Sequence, residues 1–327
     1  MEHLYDYLLF AAQATTILAL FAAAIAVAVA GAQRIRAHAP VRLQISSVND
    51  RLEATRMALA RAMQPEREYK ALVEERKKRI KARAQATEAR RRVFVLDFNG
   101  DLRASAVASL REEISAALAV ARAADEIVVR VESAGGTVHG YGLAASQLDR
   151  IRARGIRLTV AVDKVAASGG YMMACVADRI IAAPFAIVGS IGVVAQIPNV
   201  NRLLKKHDVD FELHTAGEHK RTLTVFGENS DAARAKFRDE LEDAHRLFKE
   251  FIAGHRPAVD IAAVGTGEHW YGQRALGLNL VDELRTSDDY LHAAASGADV
   301  YELRWQRHRG WRERLLGTAA RACGLQA

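Results

Sequence analysis

From Arg92 onward, apolar positions alternate between two rhythms. Val93-Phe94-Val95-Leu96-Asp97-Phe98 is a near-continuous apolar run, as in a strand covered on both faces. Val107, Leu110, Ile114, Leu118 and Ala121 then share one face of a helix. Glu126 to Glu132 reads as a second strand followed by a Gly-Gly turn. A helix bearing Ala144, Leu148 and Ile151 on one face comes next, then a third strand from Arg157 to Val162. Ala166 to Val176 opens a helix of small residues, and Arg179 to Ala183 is a short fourth strand. Asp210 to His214 is expected as a further strand, and a long helix from about Ser230 carries Phe237, Leu241, Ala244, Phe248 and Phe251 on one face. Strand-helix alternation of this kind predicts an α/β fold with a mostly parallel sheet, right-handed crossovers and a helical C-terminal part.

The N-terminal region has a different texture. After a six-residue tail (1–6), residues 7–33 contain no charged side chain. As a helix they would extend roughly 40 Å, enough to cross a bilayer with some tilt. Ala30-Gly31-Ala32 resembles a signal-peptide cleavage site, but the basic N-region such a peptide needs is replaced by Glu2 and Asp6, so a retained transmembrane anchor is expected. Residues 34–92 read as a basic helical stalk interrupted at Pro65, 93–300 as the main domain, and 301–327 as an Arg-rich tail.

Composition is that of a globular chain, 50% apolar and 26% charged over 327 residues. The net charge of +7 is concentrated in two places. Nine Lys and Arg against three Glu lie between Glu74 and Arg92, and six Arg against Glu302 and Glu313 in the last 27 residues. Basicity confined to two segments argues against a nucleic-acid-reading face. It suits contact with anionic lipid or a solvated stalk equally well. Arg34, Arg36 and Arg42 follow the apolar span, and by the positive-inside rule they place the main domain in the cytoplasm. Cys175 and Cys323 are far apart in sequence and have no metal-ligand spacing; no metal or organic cofactor is expected.

In open parallel sheets, chemistry gathers beyond the carboxyl ends of the strands. Three loops there are unusual. Ser133-Ala134-Gly135-Gly136 could turn backbone N–H groups toward a ligand, or be a simple turn. Ser168, flanked by Ala and Gly in Ala166-Ala167-Ser168-Gly169-Gly170, could be an accessible nucleophile or a helix cap. Lys220, in Gly217-Glu218-His219-Lys220-Arg221, could act as a general base if burial lowered its pKa, or be solvated. His139 and His214 are candidate partners for Ser168 by residue type, but nothing in the sequence pairs either with it.

Taken together with Gly189-Ser190-Ile191-Gly192-Val193, this ordered set resembles the signal-peptide-peptidase-A family of Ser/Lys membrane proteases. Val138-His139-Gly140-Tyr141-Gly142-Leu143, Tyr171-Met172-Met173-Ala174-Cys175, Glu212-Leu213-His214-Thr215-Ala216-Gly217 and Gly267-Glu268-His269-Trp270-Tyr271-Gly272 are similar to its SohB branch, from about Arg92 to Tyr290. The resemblance implies a ClpP/crotonase-like fold and a membrane-anchored serine endopeptidase. Ser168 would be its nucleophile, Lys220 its general base, Gly135 and Gly169 its oxyanion-hole donors, and Ser190 would orient the lysine. It also implies a polypeptide substrate such as a signal peptide, contact with membrane lipid, homo-oligomeric assembly, and a bacterial inner-membrane location with the domain on the periplasmic face, against the arginine distribution. One departure is Ala134, where similar proteins carry proline. Two rival readings remain: a membrane scaffold with an idle dyad, and a crotonase-type acyl-CoA enzyme on the same fold.

Overall fold

A computed structural model describes residues 42–85, 90–217 and 219–306. Strand β1 (Arg42–Ser47) leads into helices α1 (Val48–Met63) and α2 (Glu66–Gln85), which part at Gln64-Pro65 because proline disfavours helical backbone in the residue before it. Then follow β2 (Arg92–Asn99), α3 (Val107–Val120), β3 (Glu126–Glu132), α4 (Val138–Arg152), β4 (Arg157–Val162), β5 (Val165–Ala167) and α5 (Gly169–Ala174). The chain continues through β6 (Arg179–Ala182), β7 (Ile187–Gly189), α6 (Asn201–Lys206), α7 (Asp231–His255) and α8 (Ile261–Val264). It ends with β8 (His269–Tyr271), α9 (Gly272–Gly277), β9 (Glu283–Leu284), α10 (Ser287–Gly297) and β10 (Asp299–Gln306).

Seven strands form the main sheet in the order β1-β10-β2-β3-β4-β6-β9, and every pair from β10 to β9 is parallel. The continuous apolar runs are explained by two covered faces. Phe94, Leu96 and Phe98 point into the larger core with α3, α4 and α5, whereas Val93 and Val95 join Val128, Ala161 and Ile181 beneath α1 and α10. A small second sheet stands at the carboxyl end of the first, with β5 parallel to β7 and β7 antiparallel to β8. Ser168 and Ser190 directly follow its strands β5 and β7.

Three expectations change. Part of the segment read as a stalk belongs to the folded unit, which begins at Leu43. The Asn49 side chain donates to the carbonyls of Ala295 and Ala298 and accepts from Val300 N, while Arg51 forms a two-point ion pair with Glu302. The boundary drawn at residue 300 is likewise crossed by β10, an internal strand between β1 and β2. These elements were hidden by polar side chains that pair across the sheet: Arg130 binds Asp97 and Glu302, and Arg304 binds Asp97. Third, residues 210–214 form no strand; they run as exposed irregular chain without a pairing partner among the described residues. No helix among the described residues is long and apolar enough to cross a membrane. The expected span at 7–33 and residues 307–327 of the Arg-rich tail lie outside the described residues.

Candidate active site

Ser133, Gly135, Ser168 and Ser190 come together where the main sheet meets the small one. Ser133 bridges to Ala166: its N–H donates to the Val165 carbonyl at 2.9 Å, and its own carbonyl accepts from Ala167 N at 2.9 Å. On the other side β5 and β7 pair with Ala167 opposite Gly189, and Ser168 N–H donates to the Gly189 carbonyl at 2.7 Å. Ser168 and Ser190 thus sit one step beyond paired residues on neighbouring parallel strands. Both have positive φ, 50° and 52°.

That conformation is uncommon for a residue with a Cβ and costs of order 1–3 kcal/mol, so the surroundings must impose it. Ser168 connects β5 to α5, and the abrupt reversal from strand to helix forces its backbone to φ 50°, ψ −118°. Its hydroxyl does not cap α5. Ser168 is half-buried.

Gly135, with φ +95°, is pressed against this turn. A Cβ built on it would fall 2.7 Å from Ser168 Cβ, 2.9 Å from the Ala167 carbonyl oxygen and 2.9 Å from Gly169 N. Gly169 is needed for a different reason: a Cβ there would lie 2.7 Å from Tyr141 Cβ. As the first residue of α5, Gly169 has no intrahelical acceptor for its N–H. The Gly135 N–H is engaged, donating to Ser133 Oγ at 3.0 Å. The Gly135 amide, expected from the sequence to face a ligand, is instead taken up by Ser133, whereas the Gly169 amide opens at the Ser168 turn.

Ser190 is half-buried, its N–H donating to the Glu268 carbonyl at 2.6 Å. Lys220 is exposed on the loop after α6, its ammonium without a hydrogen bond or ion pair to another described residue. The structure brings Ser168, Gly135, Gly169 and Ser190 together, and leaves Lys220 in solvent. His139 and His214 are also exposed, His214 facing Glu212 at 3.2 Å. Cys175 is fully buried, and burial pushes its thiol well above the usual range. Among the described residues no three His, Cys, Asp or Glu converge as metal ligands.

Sequence reasoning missed Ser133 and Tyr141. The hydroxyls of these two buried side chains lie 2.5 Å apart, directly behind the Gly135 turn. A serine two residues before a glycine is a local signal for a side-chain-closed turn. Nothing in the sequence marks Tyr141 as its partner.

Comparison with known proteins decides the family. The model for the N-terminal part of peptidase family S49 matches residues 2–148, and that for peptidase family S49 itself matches residues 150–301. The chain belongs to peptidase family S49. A "Probable protease SohB" of Haemophilus influenzae is 64% identical over 199 residues, 61% of this chain and 56% of that protein. One from Buchnera aphidicola is 63% identical over 202 residues, 62% of this chain and 60% of that protein. The S49 chain therefore spans less than two thirds of the length of these relatives. Among solved structures, the 1510-N membrane-bound stomatin-specific protease in complex with a substrate peptide is 12% identical, with a TM-score of 0.42 over 72% of this chain and all of that one. A ClpP1 from Listeria monocytogenes is 13% identical, with a TM-score of 0.38 over 62% of this S49 chain and 94% of its own.

Proposed function

We propose that this S49 chain is a serine endopeptidase that uses Ser168 as nucleophile and Lys220 as general base. The observation that carries the reading is the backbone of Ser168: a half-buried serine held at φ 50° on a strand-to-helix turn, with Gly135 closed against it. Strain of this kind presents a hydroxyl at a fixed angle beside backbone amides.

In this mechanism neutral Lys220 takes the Ser168 proton as Oγ attacks a peptide carbonyl. The Gly169 N–H meets the developing oxyanion, with the Gly135 turn as the facing wall. The amine leaves with a proton from the lysine, and water hydrolyses the ester with Lys220 again as base. Ser190 orients the Lys220 amine. For this the exposed Lys220 loop has to close over Ser168. The segment 194–226 that carries this loop also exposes Val194, Leu203, Phe211, Leu213 and Phe226, an apolar surface that a second copy of the chain would cover. The substrate is a membrane-associated or unfolded polypeptide such as a signal peptide, and residues 7–33 anchor the chain in the bacterial inner membrane with the domain on the periplasmic face.

The test is hydrolysis of an unstructured protein by the full chain purified in detergent, beside Ser168→Ala and Lys220→Ala. Nucleophile and base act as a unit, so either change should remove nearly all turnover. Wild type and both variants cleaving alike would end the reading in favour of an idle scaffold. Turnover of an acyl-CoA that survives Ser168→Ala would favour a crotonase-type enzyme instead.

A further inference from the structure

Behind the nucleophile turn a directional chain of hydrogen bonds crosses the core. Gly135 N–H donates to Ser133 Oγ at 3.0 Å, Ser133 and Tyr141 share a hydroxyl–hydroxyl bond of 2.5 Å, and Tyr141 Oη donates to the Asp101 carbonyl at 2.8 Å. The phenol has one proton, and it is spent on Asp101. The Ser133 hydroxyl must therefore donate to Tyr141 and accept from Gly135, so each proton has one direction. Burial pushes the Tyr141 phenol above its ordinary pKa, which keeps that proton in place. Both side chains are almost inaccessible, at 2% for Ser133 and 0% for Tyr141.

Space for the pair is kept by a third glycine, since a Cβ on Gly100 would lie 2.7 Å from Ser133 Cβ. Tyr141 also touches the other half of the site, because its ring leaves no room for a Cβ on Gly169. One tyrosine thus packs its ring against the Cα side of Gly169 and ties the Gly135 turn, through Ser133, with its hydroxyl. The link through Ser133 closes a side-chain turn over Ala134, a residue that by itself leaves the backbone free to rotate.

We propose that Ser133 and Tyr141 are positioning residues for peptide hydrolysis, holding the Gly135 turn in the place that the transition state needs. This rests on the peptidase reading given above. Ser133 and Tyr141 do not touch the reacting atoms; they act through Gly135 and Gly169. A misplacement on the ångström scale at such a site can cost on the order of a hundredfold in rate.

The experiment compares full-length wild type, Tyr141→Phe, Ser133→Ala and the double variant, with Ser168→Ala as the inactive reference. Active enzyme is counted by labelling with a fluorophosphonate, so that misfolded protein does not enter the rates. Tyr141→Phe keeps the ring on Gly169 and removes only the bond to Asp101 and the acceptor for Ser133. Each single variant is expected to lose at least about tenfold in kcat at nearly unchanged KM, on the scale that misorientation sets. The double variant should be no slower than the worse single one, because all three break one chain. Amide hydrogen exchange at Gly135 should accelerate in both single variants. Unchanged or raised kcat in Tyr141→Phe, fully multiplicative losses in the double variant, or a Gly135 amide that exchanges freely in wild type would each overturn the positioning role while leaving the peptidase reading intact. Wild type cleaving no faster than Ser168→Ala would sink the peptidase reading and the positioning role with it.

Discussion

Gly135 and Ser168 approach so closely that a Cβ added to the glycine would stand 2.7 Å from the serine Cβ. The two come from loops after different strands, β3 and β5, and backbone bonds through Ser133 hold them in contact. Gly135→Ala meets two penalties at once, a positive φ of 95° and a collision with the Ala167 carbonyl and the Gly169 amide. Neither neighbour can rotate aside, because both belong to the main chain of the turn. The expected result is a loss of about 1–3 kcal/mol of stability by urea denaturation. Hydrolysis per folded molecule should fall much further than stability does. Retained turnover in a folded Gly135→Ala protein would show that the turn does not shape the surroundings of Ser168.

Ser190 offers a cleaner separation of structure from chemistry. Its contribution to the fold is its backbone, through the bond to Glu268, and its φ of 52° suits glycine better than serine. Ser190→Gly should therefore keep or raise the melting temperature. If the hydroxyl orients Lys220, kcat should still fall, by about tenfold, a modest share of what a proton-transferring group contributes. A thermal melt and a steady-state assay on one preparation settle the matter, and full kcat would remove Ser190 from the site.

What the sequence revealed about the fold depended on how each strand is covered. β2, β3 and β4 are buried on both faces, so Val93 to Phe98 and Ile127 to Val131 announce themselves as near-continuous apolar runs, interrupted only by Asp97 and Arg130. β1 and β10 remained hidden because Arg51, Arg130 and Arg304 meet Asp97 and Glu302 beside them, and such side chains read as solvent-facing until the pairing is known. β5 and β7, three residues each, are too short to carry a period, yet they set the backbone of Ser168 and Ser190. The site was legible as a set of loops because Ser168, Gly135 and Gly169 lie in distinctive small-residue contexts. The Tyr141 support was not, since its partners Ser133 and Asp101 become neighbours only once the sheet is formed.

The Glu302 carboxylate ties the N-terminal elements to the sheet and makes that junction acid-sensitive. Its hydrogen bonds from Arg51, with the further positive charge of Arg130, hold its pKa below the ordinary 4.5. A carboxyl group depressed in the folded state stabilises fully above its unfolded pKa, and that contribution is lost as the pH falls through the folded value. Glu302→Gln should therefore be less stable than wild type at pH 7. The gap should narrow below about pH 4.5, where the unfolded chain binds its proton first. Urea midpoints measured across that range report it. A gap that stays constant with pH would mean that packing, rather than the charge, accounts for the residue's contribution.

Tyr171, two residues beyond Gly169 on α5, tests whether the helix that follows Ser168 is anchored independently of any chemistry there. Its hydroxyl is wholly buried and donates to the Leu280 carbonyl at 3.0 Å, tying α5 to the segment just before β9. Burial pushes the phenol above its ordinary pKa, which favours the protonated, donating form. Tyr171→Phe removes that bond with almost no change in shape, leaving one carbonyl without this donor. The expected cost is about 1 kcal/mol of unfolding free energy. Because the ring still fills its place beneath the turn, Ser168 keeps its geometry and kcat per labelled active site is retained. A large fall in kcat would show instead that the position of α5, and of Ser168 with it, depends on the distant Leu280 carbonyl.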